Sequence, residues 1–309
     1  MAFNNFPYGD FQDLNLDWIL RKIGELSKKV NAYDSGIQNA VNKKLDELMR
    51  EGKLAGMLTP FGFGGFVFYH LYRETGDTSW FLIKIPKSAF KLSFHNCGGN
   101  DSATPTTLVS NPEDFLKNYS DGKYFLAHNC NFGGREWGSR WNGINYPRDI
   151  PDGITPRPYF AFNSVTEECA FFESNVMVSQ IPAEYDVVFA CGDWFVLDGN
   201  ARGSEYSGLD DGLNPRTCFG WDDDSFYVFC CEGRGTYETG LRLDEVKQIF
   251  VSFGVRNAVC FDGGGSVCVA ANMAGGTRKI NHFRDVQKTY NRNRAVGLCA
   301  CYERREVNE

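Results

Sequence analysis

Long hydrophobic runs are missing from this chain: no stretch approaches the ~20 consecutive apolar residues that a membrane-spanning helix requires, so no insertion into a bilayer is expected. Basic runs are missing too. With a net charge of −7 and no Lys/Arg stripe, the sequence offers nothing to attract nucleic-acid phosphates, and nucleic acid is excluded as a partner. Met1–Phe11 contains no basic segment leading into an apolar core, so no export signal is expected. Metal-binding spacings are also lacking. No Cys-x-x-Cys pair occurs, and His70, His95, His128 and His282 show neither His-x-x-x-His nor His-Glu-x-x-His order; each reads as a structural histidine, no metal site is assigned and no cofactor is required. Proline is scarce beside glycine, 11 against 33, which with 15% aromatic residues favours strands joined by tight turns.

What is present begins with a helical pattern. Between Asp13 and Lys53 the residues Ile23, Leu26, Val30, Tyr33, Ile37 and Ala40 follow alternating three- and four-residue steps, the seam of a coiled coil. The register then moves to Val41, Leu45 and Leu48, and Asp34-Ser35-Gly36 is placed to divide the helix. An amphipathic helical hairpin packed on its own domain fits the same pattern. Thr59–Gly65 is a punctuator, and the expected organisation is a helical segment over 1–56, a Gly-rich linker over 57–65 and a second domain over 66–305.

In that second domain, strands are expected at Phe66–Tyr72 and Trp80–Ile85, joined by the turn Glu74–Asp77, and at Tyr124–His128, Tyr159–Asn163, Asp186–Ala190, Trp194–Leu197 and Phe226–Cys231. A helix should begin near Asn111-Pro112, and another spans Leu243–Phe250, with Gly254 stopping it. Val255–Phe261 then runs into the turn Asp262-Gly263-Gly264-Gly265-Ser266, and Val267–Ala271 leaves it. The implied class is α+β (mixed α/β), a central mixed sheet with flanking helices preceded by the α-helical coiled-coil stalk.

An aspartate followed by three glycines and a serine carries an entropic cost that makes sense where the chain turns sharply or something approaches its amides closely. A plain hairpin turn and an anion-holding nest of N–H groups are equally good readings of these residues alone. A nucleotide loop is excluded because Gly-x-x-x-x-Gly-Lys is absent, and the Gly-x-Ser-x-Gly elbow is excluded because Val267 and Cys268 follow Ser266; a Ser-His-Asp triad is correspondingly unsupported. Asp222-Asp223-Asp224 reads as the solvated tip of a hairpin, and calcium there has no support.

The order of several motifs resembles the phosphodiester glycosidase family. Tyr124–Phe132 is similar to the family's Ala-x-Asn-Gly-Gly-Phe-Phe strand and turn, with Cys130 and Asn131 in place of the two glycines. Trp194–Gly199 resembles its apolar strand and turn, Asn214–Gly220 its Pro-Arg-Thr-Ala-x-Gly segment, and Gly240–Glu245 its Gly-Leu-Thr-Leu-x-Glu helix start. Asn257–Ser266 matches Asn-Ala-x-x-Leu-Asp-Gly-Gly-Gly-Ser, and Ile280-Asn281 and Arg294-Ala295-Val296 resemble the closing elements.

The resemblance implies cleavage between a sugar's anomeric carbon and a phosphodiester oxygen. It makes Asp262 the principal acid and Arg216 the key phosphate cation, with Thr217 beside it. Gly263, Gly264, Gly265 and Ser266 become a phosphate cradle, Asn129 a contact to sugar hydroxyls, and Arg294 either a second phosphate contact or a brace for Asp262. A second carboxylate is expected at Glu136 or, failing that, Asp198. Asn5–Phe11 with Leu14–Leu20 resembles the opening of bacteriophage tail and appendage proteins. That likeness implies attachment to other virion tail proteins, a homo-oligomeric and favourably trimeric stalk, synthesis in the host cytoplasm without a signal peptide, and action at the host surface on a glycopolymer such as a teichoic acid or phosphorylated capsule.

Overall fold

A computed structural model describes residues 66–71, 78–102, 108, 110–131, 138–146, 156–192, 194–202, 212–234, 239–273, 276–281 and 294–306. The expected helical stalk and linker lie outside them, as does Glu136.

The first strands follow the sequence pattern. Phe66–Leu71 (β1) pairs antiparallel with Thr78–Pro86 (β2), and β2 pairs antiparallel with Ser225–Cys231 (β13). Arg216–Trp221 (β12) lies between β13 and Asn257–Cys260 (β14), antiparallel to both. Trp194–Leu197 (β10) and Asn200–Ala201 (β11) complete a seven-stranded sheet in the order β1-β2-β13-β12-β14-β10-β11.

A second sheet has the order β16-β15-β4-β17-β3, built from Gly276–Lys279 (β16), Val269–Met273 (β15), Tyr124–Asn129 (β4), Leu298–Arg304 (β17) and Phe90–Asn96 (β3). The third runs β6-β5-β9-β7-β8 through Ile144–Tyr146, Ser139–Trp141, Val187–Ala190, Tyr159–Phe162 and Cys169–Phe172. Every named strand pair is antiparallel.

This corrects the expected mixed sheet with flanking helices. The strands of the strand–helix–strand unit from β13 to β14 do not pair with each other: β12 sits between them and is antiparallel to both. The α-helices among the described residues are short: Pro112–Tyr119 (α1), whose Asn111 side chain caps the Asp114 N–H at 3.1 Å, and Leu243–Ser252 (α2).

Aromatic side chains from all three sheets share one core. Phe81 and Phe226 come from the first sheet, Phe94 and Tyr302 from the second, and Phe160 and Phe189 from the third. At its centre the rings of Phe219 and Phe261 stack at 5.6 Å, and His128 stacks on both. His128 is fully buried between the Asn129 carbonyl (2.9 Å) and the Tyr302 hydroxyl (3.1 Å), and loss of water pushes its imidazole down to about 4, so it stays neutral at physiological pH. This plate of rings ends at Phe261, and the next residue is Asp262.

Candidate active site

Asp262 lies where the chain leaves β14 of the first sheet on its way to β15 of the second. Its N–H donates to the Cys130 carbonyl at 3.0 Å, just beyond β4, and the Gly192 N–H donates to the Cys260 carbonyl at 2.6 Å, just beyond β9. Strand ends from all three sheets therefore converge on the turn.

The glycine run is required by space as much as by flexibility. Gly264 has φ +56, and Gly263 packs so tightly that a Cβ there would come within 2.8 Å of the Pro215 carbonyl oxygen. Two amides of the turn are committed to backbone carbonyls, Gly264 N–H to Pro215 and Ser266 N–H to Gly263, and the Gly263 amide and Ser266 hydroxyl act on the Asp262 carboxyl.

Burial pushes the Asp262 carboxyl up to about 6; the Ser266 hydroxyl, the charges of Arg294 and Arg157, and the Gly263 amide oppose that rise without cancelling it. A carboxyl poised near neutrality in a partly open turn between arginines is a functional-site signature. Arg157, just before β7, carries no motif, and sequence reasoning missed it. Arg294, before β17, lies near enough for its charge to act on the Asp262 carboxyl.

Other candidates fall into different roles. Asn129 is fully buried: its amide donates to the Asp262 carbonyl at 2.5 Å and its oxygen accepts from the Thr217 hydroxyl (2.8 Å) and the Cys268 N–H (3.0 Å). Asn129 and Thr217 therefore hold the turn from below, and neither reaches solvent to meet a sugar. Replacing Asn129 with Ala leaves three groups short of partners, so a loss of about 2–4 kcal/mol is expected in urea unfolding, together with a fall in activity. Asn129→Asp should recover neither, because a carboxylate cannot donate to the Asp262 carbonyl.

Arg216 is also withdrawn. Its side chain is 4% exposed, with Nε donating to Leu241 O at 3.3 Å and Nη2 to Gly212 O at 2.9 Å. Asp198 stands at the β10–β11 turn, paired with Arg256 at 3.3 Å and touching Asn257 at the far end of β14. That puts it roughly 15 Å from Asp262 at about 3.3 Å per strand residue, outside the site. The acidic run closes the β12–β13 hairpin: Asp222 accepts from the Asp224 and Ser225 amides and the Tyr227 hydroxyl, and Asp223 pairs with Arg256.

One serine, histidine and aspartate do join in relay order: Ser93 Oγ lies 2.9 Å from His95 Nε2, and His95 Nδ1 lies 2.8 Å from Asp101. The neighbouring amides that would have to receive an oxyanion, those of Gly98 and Gly99, both donate to Asn96, so this Ser93–His95–Asp101 relay braces β3. No cluster of three or more His, Cys, Asp or Glu side chains suited to a metal occurs among the described residues.

Residues 163–300 match the family model described as phosphodiester glycosidase. Over 216 residues the chain is 30% identical to the SPbeta prophage-derived uncharacterized protein YomE of Bacillus subtilis strain 168, covering 64% of this chain and 32% of that protein. The chain thus spans about a third of that relative's length. The fold is shared with the catalytic domain of zebrafish N-acetylglucosamine-1-phosphodiester alpha-N-acetylglucosaminidase, solved auto-inhibited by its pro-peptide. That likeness has a TM-score of 0.54 at 16% identity and covers 78% of this chain and 83% of that one.

Proposed function

We propose that this protein hydrolyses glycosyl phosphodiesters, and that Asp262 is the carboxylate on which the reaction turns. The observation that supports this reading most is the pairing of a carboxyl pushed up to about 6 with the positive charges of Arg157 and Arg294. A substrate of this class brings together a developing positive charge at the anomeric carbon and an anionic phosphate. A carboxylate suits the first, and arginines suit the second. The family match over residues 163–300 supports the same substrate class.

In the reaction, water adds its oxygen to the anomeric carbon while the bond from that carbon to the phosphate oxygen breaks. The sugar leaves as a hemiacetal and the phosphate as a monoester, and one proton passes to solvent. The phosphate is a good leaving group without protonation, so Asp262 acts as the anion that stabilises the oxocarbenium-like centre. Rate should therefore depend on its ionised form: kcat/KM should rise with pH through about 6 and level off above it. A profile that instead falls as pH rises through 6 would make Asp262 a proton donor.

The natural polymer in this proposal is a phosphate-linked glycopolymer of a bacterial surface, with the enzyme carried on a phage tail. Its supports are the likeness of the N-terminus to tail proteins and the prophage origin of YomE. Phosphorus NMR of a panel of sugar-1-phosphodiesters and of wall polymer tests the activity: diester signals should give way to monoester signals. Unchanged spectra with tight polymer binding would leave a carbohydrate-binding protein in place of an enzyme.

A further inference from the structure

We infer that Arg234, a residue outside every motif discussed above, is the arginine that receives the anionic group of the ligand at the glycine turn, in place of the buried Arg216. This inference rests on the glycosyl phosphodiester reading for the identity of the ligand, while the site itself rests on the packing of Arg234 over the turn. A Cβ built on Gly264 would lie 3.0 Å from Arg234 Nη1 and 3.2 Å from both Cζ and Nη2, so the flat of the guanidinium covers this glycine, two residues beyond Asp262. Gly264 is glycine for its positive φ, and a Cβ there would also press the guanidinium back by a few tenths of an ångström.

Arg234 is held there by rigid neighbours. It adopts φ +55, a conformation that is strained for a non-glycine residue and persists where the surroundings enforce it. Its Nε donates to Asn214 Oδ1 at 2.9 Å, and Asn214 is buried and bridged to Leu241 through its backbone. On one side Gly233 is pressed against Pro215, where a Cβ would meet the proline nitrogen at 2.7 Å; on the other Gly240 is pressed against the Asn214 backbone. Its Nε is fixed and the residue is exposed, and Nη1 and Nη2, the pair a guanidinium uses to fork two oxygens of a phosphate, lie over the turn.

Arg216 contrasts on every count. It is buried, two of its nitrogens are spent on carbonyls, and its Cδ lies beneath Gly263, 3.8 Å from where a Cβ would be. Arg216 supports the turn from inside, and Arg234 presents charge above it. With Arg157 and Arg294 already acting on Asp262, the site has enough positive charge to hold an anion beside a carboxylate.

The test is calorimetric titration of the full chain with inorganic phosphate at low salt, on wild type, Arg234→Gln, Arg234→Lys and the remote surface variant Arg256→Gln. Saturable binding to wild type, weakened about 10- to 100-fold in Arg234→Gln, less in Arg234→Lys and unchanged in Arg256→Gln, is expected. Parallel kinetics on a sugar-1-phosphodiester should show KM raised with kcat largely kept, and no change toward an aryl glycoside of the same sugar. Absence of saturable binding to wild type, equal weakening in Arg256→Gln, or wild-type phosphate affinity in Arg234→Gln would overturn the assignment. Phosphate binding that depends on Arg234, without turnover of any glycosyl phosphodiester, would support the anion site and defeat the hydrolase reading instead.

Discussion

Asp262→Asn should abolish turnover and, at pH 7, make the protein harder to unfold. The loss in kcat/KM is expected to be on the order of 10³-fold or more, since the amide keeps the shape of the side chain but carries no charge to the reacting centre. The gain in stability follows from the same burial that tunes the acid. The folded carboxyl titrates near 6 against an ordinary value of 3.8, so the folded state binds this proton more tightly than the unfolded state does. Its contribution to stability is therefore greatest in acid, is lost as pH rises through 4 to 6, and is absent at neutrality. The Asp262→Asn variant would be spared that deficit, about 2–3 kcal/mol at pH 7, with the two proteins converging below pH 4.

His128 sharpens this expectation because it slopes the other way. Its imidazole is held down to about 4, so the stability it contributes is full above its ordinary 6.5 and is lost as pH falls toward 4. In the wild type the two groups oppose each other across one pH window; in Asp262→Asn only His128 remains. Thermal or urea unfolding from pH 4 to 8 should give a flatter curve for the wild type and a steeper fall with acid for the variant. Equal stabilities at pH 7 would mean that the arginines and Ser266 fully offset the burial of the carboxylate.

The largest loss of stability is expected away from the site, at Arg140. This β5 residue is 4% exposed and spends its guanidinium on backbone: Nη1 donates to the carbonyls of Pro182 and Tyr185 at 2.6 and 3.0 Å, Nη2 to those of Val178 and Ile181, both at 2.9 Å, and Nε to Asn145 Oδ1 at 2.7 Å. One side chain thus closes the segment from Val178 to Tyr185, whose apolar members join the core of the third sheet. Arg140→Met keeps much of the volume and leaves four carbonyls without this donor, an expected cost of about 3–5 kcal/mol in urea unfolding. Arg140→Lys should recover only part, since an ammonium cannot span the same fan of acceptors. A loss under about 1 kcal/mol in Arg140→Met would mean that water replaces the guanidinium without penalty.

Asp262 was legible because its surroundings are costly: three glycines after an acid at a strand end demand a reason, and the ordered motifs supply one. The arginines were legible only in part. Arg216 stands in a motif and turns out to brace the turn, whereas Arg157 and Arg234 stand in none and reach the site because separate sheets bring them there. The glycines beside Arg234, Gly233 and Gly235, are the one local hint of its constrained backbone. Sheet order was hidden for a related reason. Along β12 and β13 every residue is buried, so the alternation that marks a strand's two faces is erased, and Arg216–Trp221 reads as a motif with no secondary structure attached. Asn129 misled because a buried amide and a ligand-facing amide look alike in one dimension.

No disulfide joins any of the eleven cysteines, and all but Cys169 are buried. Burial pushes the thiols of Cys130, Cys218 and Cys230 well up, which makes them poor nucleophiles while the fold is closed. Once it opens in an oxidising medium, the same groups become free to cross-link in non-native pairs that keep the sheets from reassembling. A molecule working outside a cell would then survive by how seldom it opens, not by how readily it recovers, and its endurance there is a matter of rate more than of equilibrium.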